Sequence, residues 1–265
     1  METNTIKFET PEEGIGLLTL NRPDRLNAMS LEMLDELYDL FGQLKYDDNI
    51  RVLIITGAGE GFCSGADLSG GLAQDPSLTR IANPGNFLHM VQKRYSGVIL
   101  EQRRLPQPII AAVNGVAAGG GMCVALAADV IYANPNARFV PSFANIGLSG
   151  GELGTTYFLP RLVGTTRAAE ILLTGRTVEA QEADRIGLVC RVLSVDELLD
   201  TSMVTARLML EKSKLGLQQT KEAININLTA PSLESAIEFE NRNQAILAFG
   251  PDFAEAVNKF GKKRK

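Results

Sequence analysis

The chain carries one histidine, His89, and three cysteines, Cys63, Cys123 and Cys190, in 265 residues. With so few ligand types a catalytic metal is not expected, and an odd number of scattered cysteines gives no disulfide framework or zinc spacing. Basic residues are outnumbered, 26 Lys and Arg against 31 Asp and Glu, a formal net charge of −5. That balance makes no electrostatic case for nucleic acid. The basic residues that gather near the end, Lys259 and Lys262-Lys263-Arg264-Lys265, read either as a solvated tail or as an anion contact. No run is long and apolar enough to span a membrane, and the polar start Met1-Glu2-Thr3-Asn4 is not a signal or transit peptide. These absences point to a soluble cytoplasmic protein with reduced thiols and neither a nucleic-acid nor a membrane partner.

What is present is an alternation of strands and helices. Residues 14–20 read as a strand ended by Asn21-Arg22-Pro23. Ser30 caps a helix whose Leu31, Leu34, Leu37, Phe41 and Leu44 recur at helical spacing. Strands follow at 51–56, 109–113, 130–133 and 137–140, with a helix over 86–104 and a short apolar helix ending near Asp129. This repetition predicts an α/β fold built from crossover units. Beyond residue 195 only helical segments appear, at 196–213, 215–227, 232–249 and 252–260. The expected division is a core of residues 1–195 and a helical region of 196–265, with no low-complexity linker and no usable sequence repeat.

Two glycine-rich stretches follow strand-like runs: Gly61-Phe62-Cys63-Ser64-Gly65-Ala66-Asp67-Leu68 and Asn114-Gly115-Val116-Ala117-Ala118-Gly119-Gly120-Gly121-Met122. Residues without side-chain bulk let a ligand approach the backbone. One backbone N–H from each stretch, aimed at a single oxygen, would form an oxyanion hole suited to a thioester or other acyl carbonyl. The other reading is that these glycines merely permit tight helix–strand packing.

Three motifs point elsewhere and fail. Gly57-Ala58-Gly59-Glu60-Gly61-Phe62 approaches a dinucleotide fingerprint, but its third glycine would fall on Phe62 and no helix opens there. No Walker A sequence is present. Gly147-Leu148-Ser149-Gly150-Gly151 has nucleophile-elbow spacing, yet the lone His89 lies upstream, the wrong chain order. A dyad of His89 with Cys63 or Cys123 stays open, as does a structural role for His89.

With these stretches in place, the chain resembles the crotonase family, the enoyl-CoA hydratase/isomerase superfamily. The resemblance runs nearly end to end. It takes in Leu20-Asn21-Arg22-Pro23, Leu26-Asn27-Ala28, both glycine stretches, Ala128-Asp129-Val130-Ile131-Tyr132-Ala133, Leu159-Pro160-Arg161-Leu162-Val163-Gly164, Leu173-Thr174-Gly175-Arg176 and Ala183-Asp184-Arg185-Ile186-Gly187-Leu188-Val189. It implies a spiral of ββα units and a C-terminal helical region that trimerises, as a homotrimer or a dimer of trimers. It implies an acyl-CoA thioester substrate and no cofactor beyond the coenzyme A of that substrate. The oxyanion donors fall on the N–H groups of Ala66 and Gly120. Ser64, Asp67 and Leu68 match positions that hold the adenine end of CoA, partly by backbone atoms. Arg25 falls in the segment lining the CoA phosphates, and Phe260 and Lys263 match C-terminal positions that reach CoA.

The hydratase pattern is broken. In the family's hydratases two glutamates hold the attacking water; here their positions carry Cys123 and Phe143. One carboxylate remains, Glu152 in Gly150-Gly151-Glu152-Leu153-Gly154. In several isomerases of the family an acid stands at this spacing before Leu-Pro-Arg and moves a proton. Apolar neighbours suit an acid–base group working near neutral pH. The competing reading is that Glu152 caps a helix beginning near Leu153. Asn145 is a further candidate for a hydrogen bond to substrate or water. The expected activity is enoyl-CoA isomerisation with Glu152 as the proton shuttle. The alternatives are enoyl-CoA hydration and a non-catalytic acyl-CoA binding protein. The stretch 70–98 is expected to line the acyl pocket.

Overall fold

The structure, a computed structural model, describes residues 3–68 and 83–262, the last three by backbone alone. Nine strands are formed: β1 (Ile6–Glu12), β2 (Ile15–Leu20), β3 (Val52–Gly57), β4 (Ile109–Val113), β5 (Val116–Ala118), β6 (Val130–Ala133), β7 (Arg138–Val140), β8 (Val178–Glu179) and β9 (Arg191–Val192). The main sheet has the order β1-β2-β3-β4-β6-β9, and the second β5-β7-β8. In the main sheet only β1 and β2 pair antiparallel. Its central strand β4 is buried at every residue, as a parallel strand covered on both faces requires.

The helices that matter here are α1 (Leu31–Leu44), α2 (Pro84–Phe87), α3 (Lys93–Arg104), α4 (Gly120–Leu126) and α5 (Thr155–Val163). Single bridges, Met29 to Ala66 and Cys63 to Ala117, extend the second sheet. A repeating turn then becomes visible: main-sheet strand, second-sheet segment, helix. It reads β2, Met29, α1; β3, residues 63–66, α3; β4, β5, α4; β6, β7, α5. This is the expected ββα spiral.

Helices α6 (Thr165–Thr174), α7 (Ala180–Arg185), α8 (Glu197–Leu210), α9 (Lys214–Asn227), α10 (Leu233–Ala248) and α11 (Pro251–Lys262) complete the chain. Leu198, Met203 and Ala206 of α8 cover Val52, Ile54, Ile110 and Ala112 on the outer face of the main sheet. Lys221 of α9 is buried, pairing with Asp129 at 2.8 Å and donating to Gln107 O at 2.7 Å. Helix α10 buries none of its residues, and Leu233, Ile246 and Phe249 are exposed. No helix among the described residues is long and apolar enough to cross a membrane.

Ser30 caps α1 as expected, its Oγ accepting the Met33 N–H at 3.2 Å. Three differences from expectation bear on the site. Strand β1, with its charged alternate residues, is an addition. The helix expected over 86–104 is interrupted by a π-helical turn, Leu88–Gln92, between α2 and α3. Helix α5 begins at Thr155, not near Leu153.

Candidate active site

The site is built where the two glycine stretches meet. Met29 N–H donates to Gly65 O at 2.7 Å, and Asp67 N–H donates to Met29 O at 3.1 Å. Both groups face Met29, so the intervening Ala66 N–H faces the opposite edge, toward β5. There β5 ends and Gly119, at φ 49°, turns the chain into α4. Gly120 is the first residue of that helix, so its N–H has no intrahelical acceptor. Neither the Ala66 nor the Gly120 N–H has a hydrogen-bond acceptor among the described residues.

Glycine at 65 lets the segments close. Its φ is +93°, and a Cβ there would lie 2.8 Å from Ala118 O and 3.3 Å from Gly120 N. A Cβ on Gly121 would collide with Cys63 O. Side chains hold the loop behind. Asn27, fully buried, donates to Ala58 O at 2.9 Å and Gly61 O at 2.8 Å. Asn114 donates to Gly57 O and Gly59 O, both at 2.9 Å. The near-fingerprint around Gly57–Gly61 is thus a turn whose carbonyls are clasped by two asparagines.

Glu152 comes to the same place by another route. Its segment turns sharply at Leu153, a leucine at φ 46°, and Gly154 at φ 88°. A left-handed leucine costs about 1–2 kcal/mol. Buried Thr155 maintains it: its Oγ1 accepts the Glu152 N–H at 3.0 Å and donates to Gly150 O at 2.7 Å. Leu153 Cδ1 then lies 3.7 Å from where a Gly120 Cβ would be. The Glu152 carboxylate does not cap α5, whose N-cap is Gly154 without a side-chain bond. Glu152 Oε1 accepts the Leu153 N–H at 3.1 Å and the side-chain amide of Gln92.

Glu152, Leu153, Tyr157 and Phe158 share a cavity of about 590 Å³ with Ile99, Leu100 and Arg103 of α3. Its wall is mostly apolar, and Ser96 is its only lining residue from the described part of the stretch 70–98. Most of the described wall of this cavity lies on α3 and α5. Residues 69–82 fall outside the described residues.

The two positions that hold water in the family's hydratases are filled differently. Cys123 is fully buried, its Sγ 3.2 Å from Gly119 O and 3.7 Å from Glu152 O. Burial, with the nearby Glu152 charge, pushes its thiol far above the ordinary range. The Phe143 ring lies 3.6 Å from where a Gly119 Cβ would be. Burial likewise pushes the Cys63 thiol up to about 12. His89 is exposed in the π-turn, so the Cys–His dyads have one buried, unionised partner. Asn145, the other polar candidate, instead donates to Gly175 O at 2.9 Å. Among the described residues no group of three or more His, Cys, Asp or Glu could hold a metal ion.

The remaining expected contacts lie at residue 25, in residues 64–68 and at the C-terminal end. Ser64 Oγ donates to Arg25 O at 3.3 Å, and Leu68 is exposed. Asp67 is 6% exposed, its Oδ2 2.8 Å from Arg22 Nη2, so its carboxylate joins the loop preceding α1 to the Ala66 segment. Phe260 lies in α11, but its side chain and all of Lys263 lie outside the described residues. Four residues that sequence reading did not assign here are Gln92, Asn27, Asn114 and Arg22. The last three stand in motifs already quoted, Arg22 before Pro23 and Asn114 before Gly115. Nothing in the sequence marks Gln92.

The family model described as enoyl-CoA hydratase/isomerase matches residues 10–265. A Mycobacterium leprae protein named "Probable enoyl-CoA hydratase" is 43% identical, covering 99% of this chain and 89% of its own. The 1,2-epoxyphenylacetyl-CoA isomerase of Escherichia coli K12 is 37% identical, covering 96% and 94%. The crystal structure of a probable enoyl-CoA hydratase/isomerase from Mycobacterium abscessus superposes with a TM-score of 0.88 at 39% identity, covering 98% and 97%. The chain therefore belongs to the enoyl-CoA hydratase/isomerase family, the crotonase superfamily.

Proposed function

We propose that this enzyme isomerises an enoyl-CoA thioester, moving a 3-enoyl double bond to the 2-position, with Glu152 as the proton shuttle. The observation that carries the reading is the pairing of Glu152 with the glycine meeting point. Glu152 lines the apolar cavity together with Leu153, whose Cδ1 packs 3.7 Å from where a Gly120 Cβ would be, whereas a buried thiol and a phenyl ring stand at the usual glutamate positions.

The chemistry takes two proton transfers. Glu152 takes a proton from C2, and the C–H electrons pass into the thioester carbonyl. The resulting enolate oxygen is held by the N–H groups of Ala66 and Gly120, with the α4 N-terminus favouring its negative charge. Glu152 then returns the proton to C4, the carbonyl re-forms, and the double bond lies between C2 and C3. No atom is gained or lost. Arg25, Ser64 and Leu68, with the backbone of Asp67, contact the CoA moiety in this reading. The exposed apolar residues Leu233, Ile246 and Phe249 suit burial against further copies, in a homotrimer or a dimer of trimers.

Hydration is the second reading, favoured by the name of the Mycobacterium leprae relative. Two assays separate them. Incubation with 3-hexenoyl-CoA is expected to raise the absorbance of the conjugated enoyl thioester. Incubation with crotonyl-CoA is expected to lower it only slowly. Rapid loss with crotonyl-CoA and no gain with 3-hexenoyl-CoA would reverse the assignment.

A further inference from the structure

We propose that Gln92 is a positioning residue that decides which oxygen of Glu152 carries the proton; the inference rests on the proton-shuttle reading above. Oε1 of Glu152 receives two donors, the Gln92 side-chain amide and the Leu153 N–H at 3.1 Å. A carboxylate oxygen has two lone-pair sites, so Oε1 is saturated. Oε2 has no donor among the described residues. The transferred proton therefore rides on Oε2, and Oε1 is the anchor.

The backbone makes this contact possible. Gln92 ends the π-turn Leu88–Gln92, and α-helical winding resumes at Lys93. A π-turn holds one residue more than an α-turn, which rotates the succeeding helix by about 100°. Buried Val91 on one side and buried Tyr95 on the other fix the turn against the core. Gln92 thus reaches a residue 60 positions away.

The other charged or titratable groups around Glu152 are few. Cys123 faces it from α4 with its thiol protonated. Arg103 and Arg104 line its cavity from α3, and Tyr157 lines it from α5. Arg103 is paired with Asp129 at 2.9 Å and Arg104 with Glu101 at 2.6 Å. Gln92 is neutral, so it favours the carboxylate without competing for the proton.

The test compares kcat and KM on 3-hexenoyl-CoA for wild type, Gln92→Met, Gln92→Glu and Glu152→Gln, between about pH 5 and 9. Methionine keeps the length of glutamine and removes the donor. Losing a donor to a charged group moves the acid limb of the kcat profile up and lowers kcat about tenfold. KM stays close to wild type. Gln92→Glu moves the limb further, because two carboxylates then share one site; it also serves if the methionine protein fails to fold. A Gln92→Met profile that overlays wild type, with Glu152→Gln inactive, overturns the role of Gln92 alone. Full turnover by Glu152→Gln overturns the proton-shuttle reading instead, and this inference with it.

Discussion

Arg22 reaches 45 positions along the chain to Asp67, its Nη2 2.8 Å from Oδ2, and so fastens the loop before α1 to the segment that carries Ala66. The Asp67 side chain is almost fully buried, so removing Arg22 takes a charged hydrogen bond from a buried carboxylate. Arg22→Met is expected to lose about 2 kcal/mol of stability, read as a shift of the urea midpoint. Arg22→Met combined with Asp67→Leu is expected to recover part of that loss. A single variant as stable as wild type would show that the pair holds nothing.

Gly65→Ala tests the meeting of the two glycine stretches. Its Cβ would fall 2.8 Å from Ala118 O at a φ of +93°. The backbone must shift, and the Ala66 and Gly120 N–H groups separate. The expected result is a fall in kcat of about 100-fold, comparable to losing one oxyanion donor, with a smaller change in KM. Unchanged kcat in a folded Gly65→Ala protein would separate the glycine from the chemistry.

The thiols give a third test. Cys63 and Cys123 are buried and their ionisation is suppressed by burial, whereas Cys190 is exposed. A thiol reagent at mildly alkaline pH is expected to modify Cys190 alone in the native protein. Cys63 and Cys123 react only after unfolding. Fast modification of Cys123 in the native state, with loss of activity, would make it a chemical participant.

Acid stability depends on Arg176. Its guanidinium holds Glu170 at 2.6 Å and Glu182 at 2.8 Å, and these hydrogen bonds keep both carboxyls below the ordinary glutamate range. A carboxyl lowered in the folded state stabilises above its unfolded value, near 4.5, and loses that contribution as pH falls through the folded value. Wild type should therefore exceed Arg176→Met in stability at neutral pH, and the difference should shrink below about pH 4. A difference constant with pH would contradict the linkage.

The sequence was most readable where local signals were dense. Strands β4 and β6 appear residue for residue where apolar runs between Pro108, Asn114-Gly115 and Asp129 place them. Ser30 announces α1 through its cap. Strand β1 escaped because Lys7, Glu9 and Glu12 give it a half-exposed edge character, broken by an irregular register between Glu9 and Glu12. The single bridges at Met29 and Cys63 are too short to leave any periodicity, so the repeating turn stays hidden until the chain is folded. Within the site, Gly65, Gly120 and Glu152 were legible as residue types in motifs. Gln92 was not, because its role depends on an inserted π-turn and on a partner 60 residues away. Arg22 and Asp67 were each visible, but only the fold joins them across the loop.

The most direct measurement is the turnover of Glu152→Gln on 3-hexenoyl-CoA. Glutamine keeps the shape and removes the base. Catalysis by a positioned acid–base group is worth about 100- to 10,000-fold, and kcat is expected to fall within that range while KM changes little. A Glu152→Gln enzyme that shifts the double bond at the wild-type rate would contradict the account.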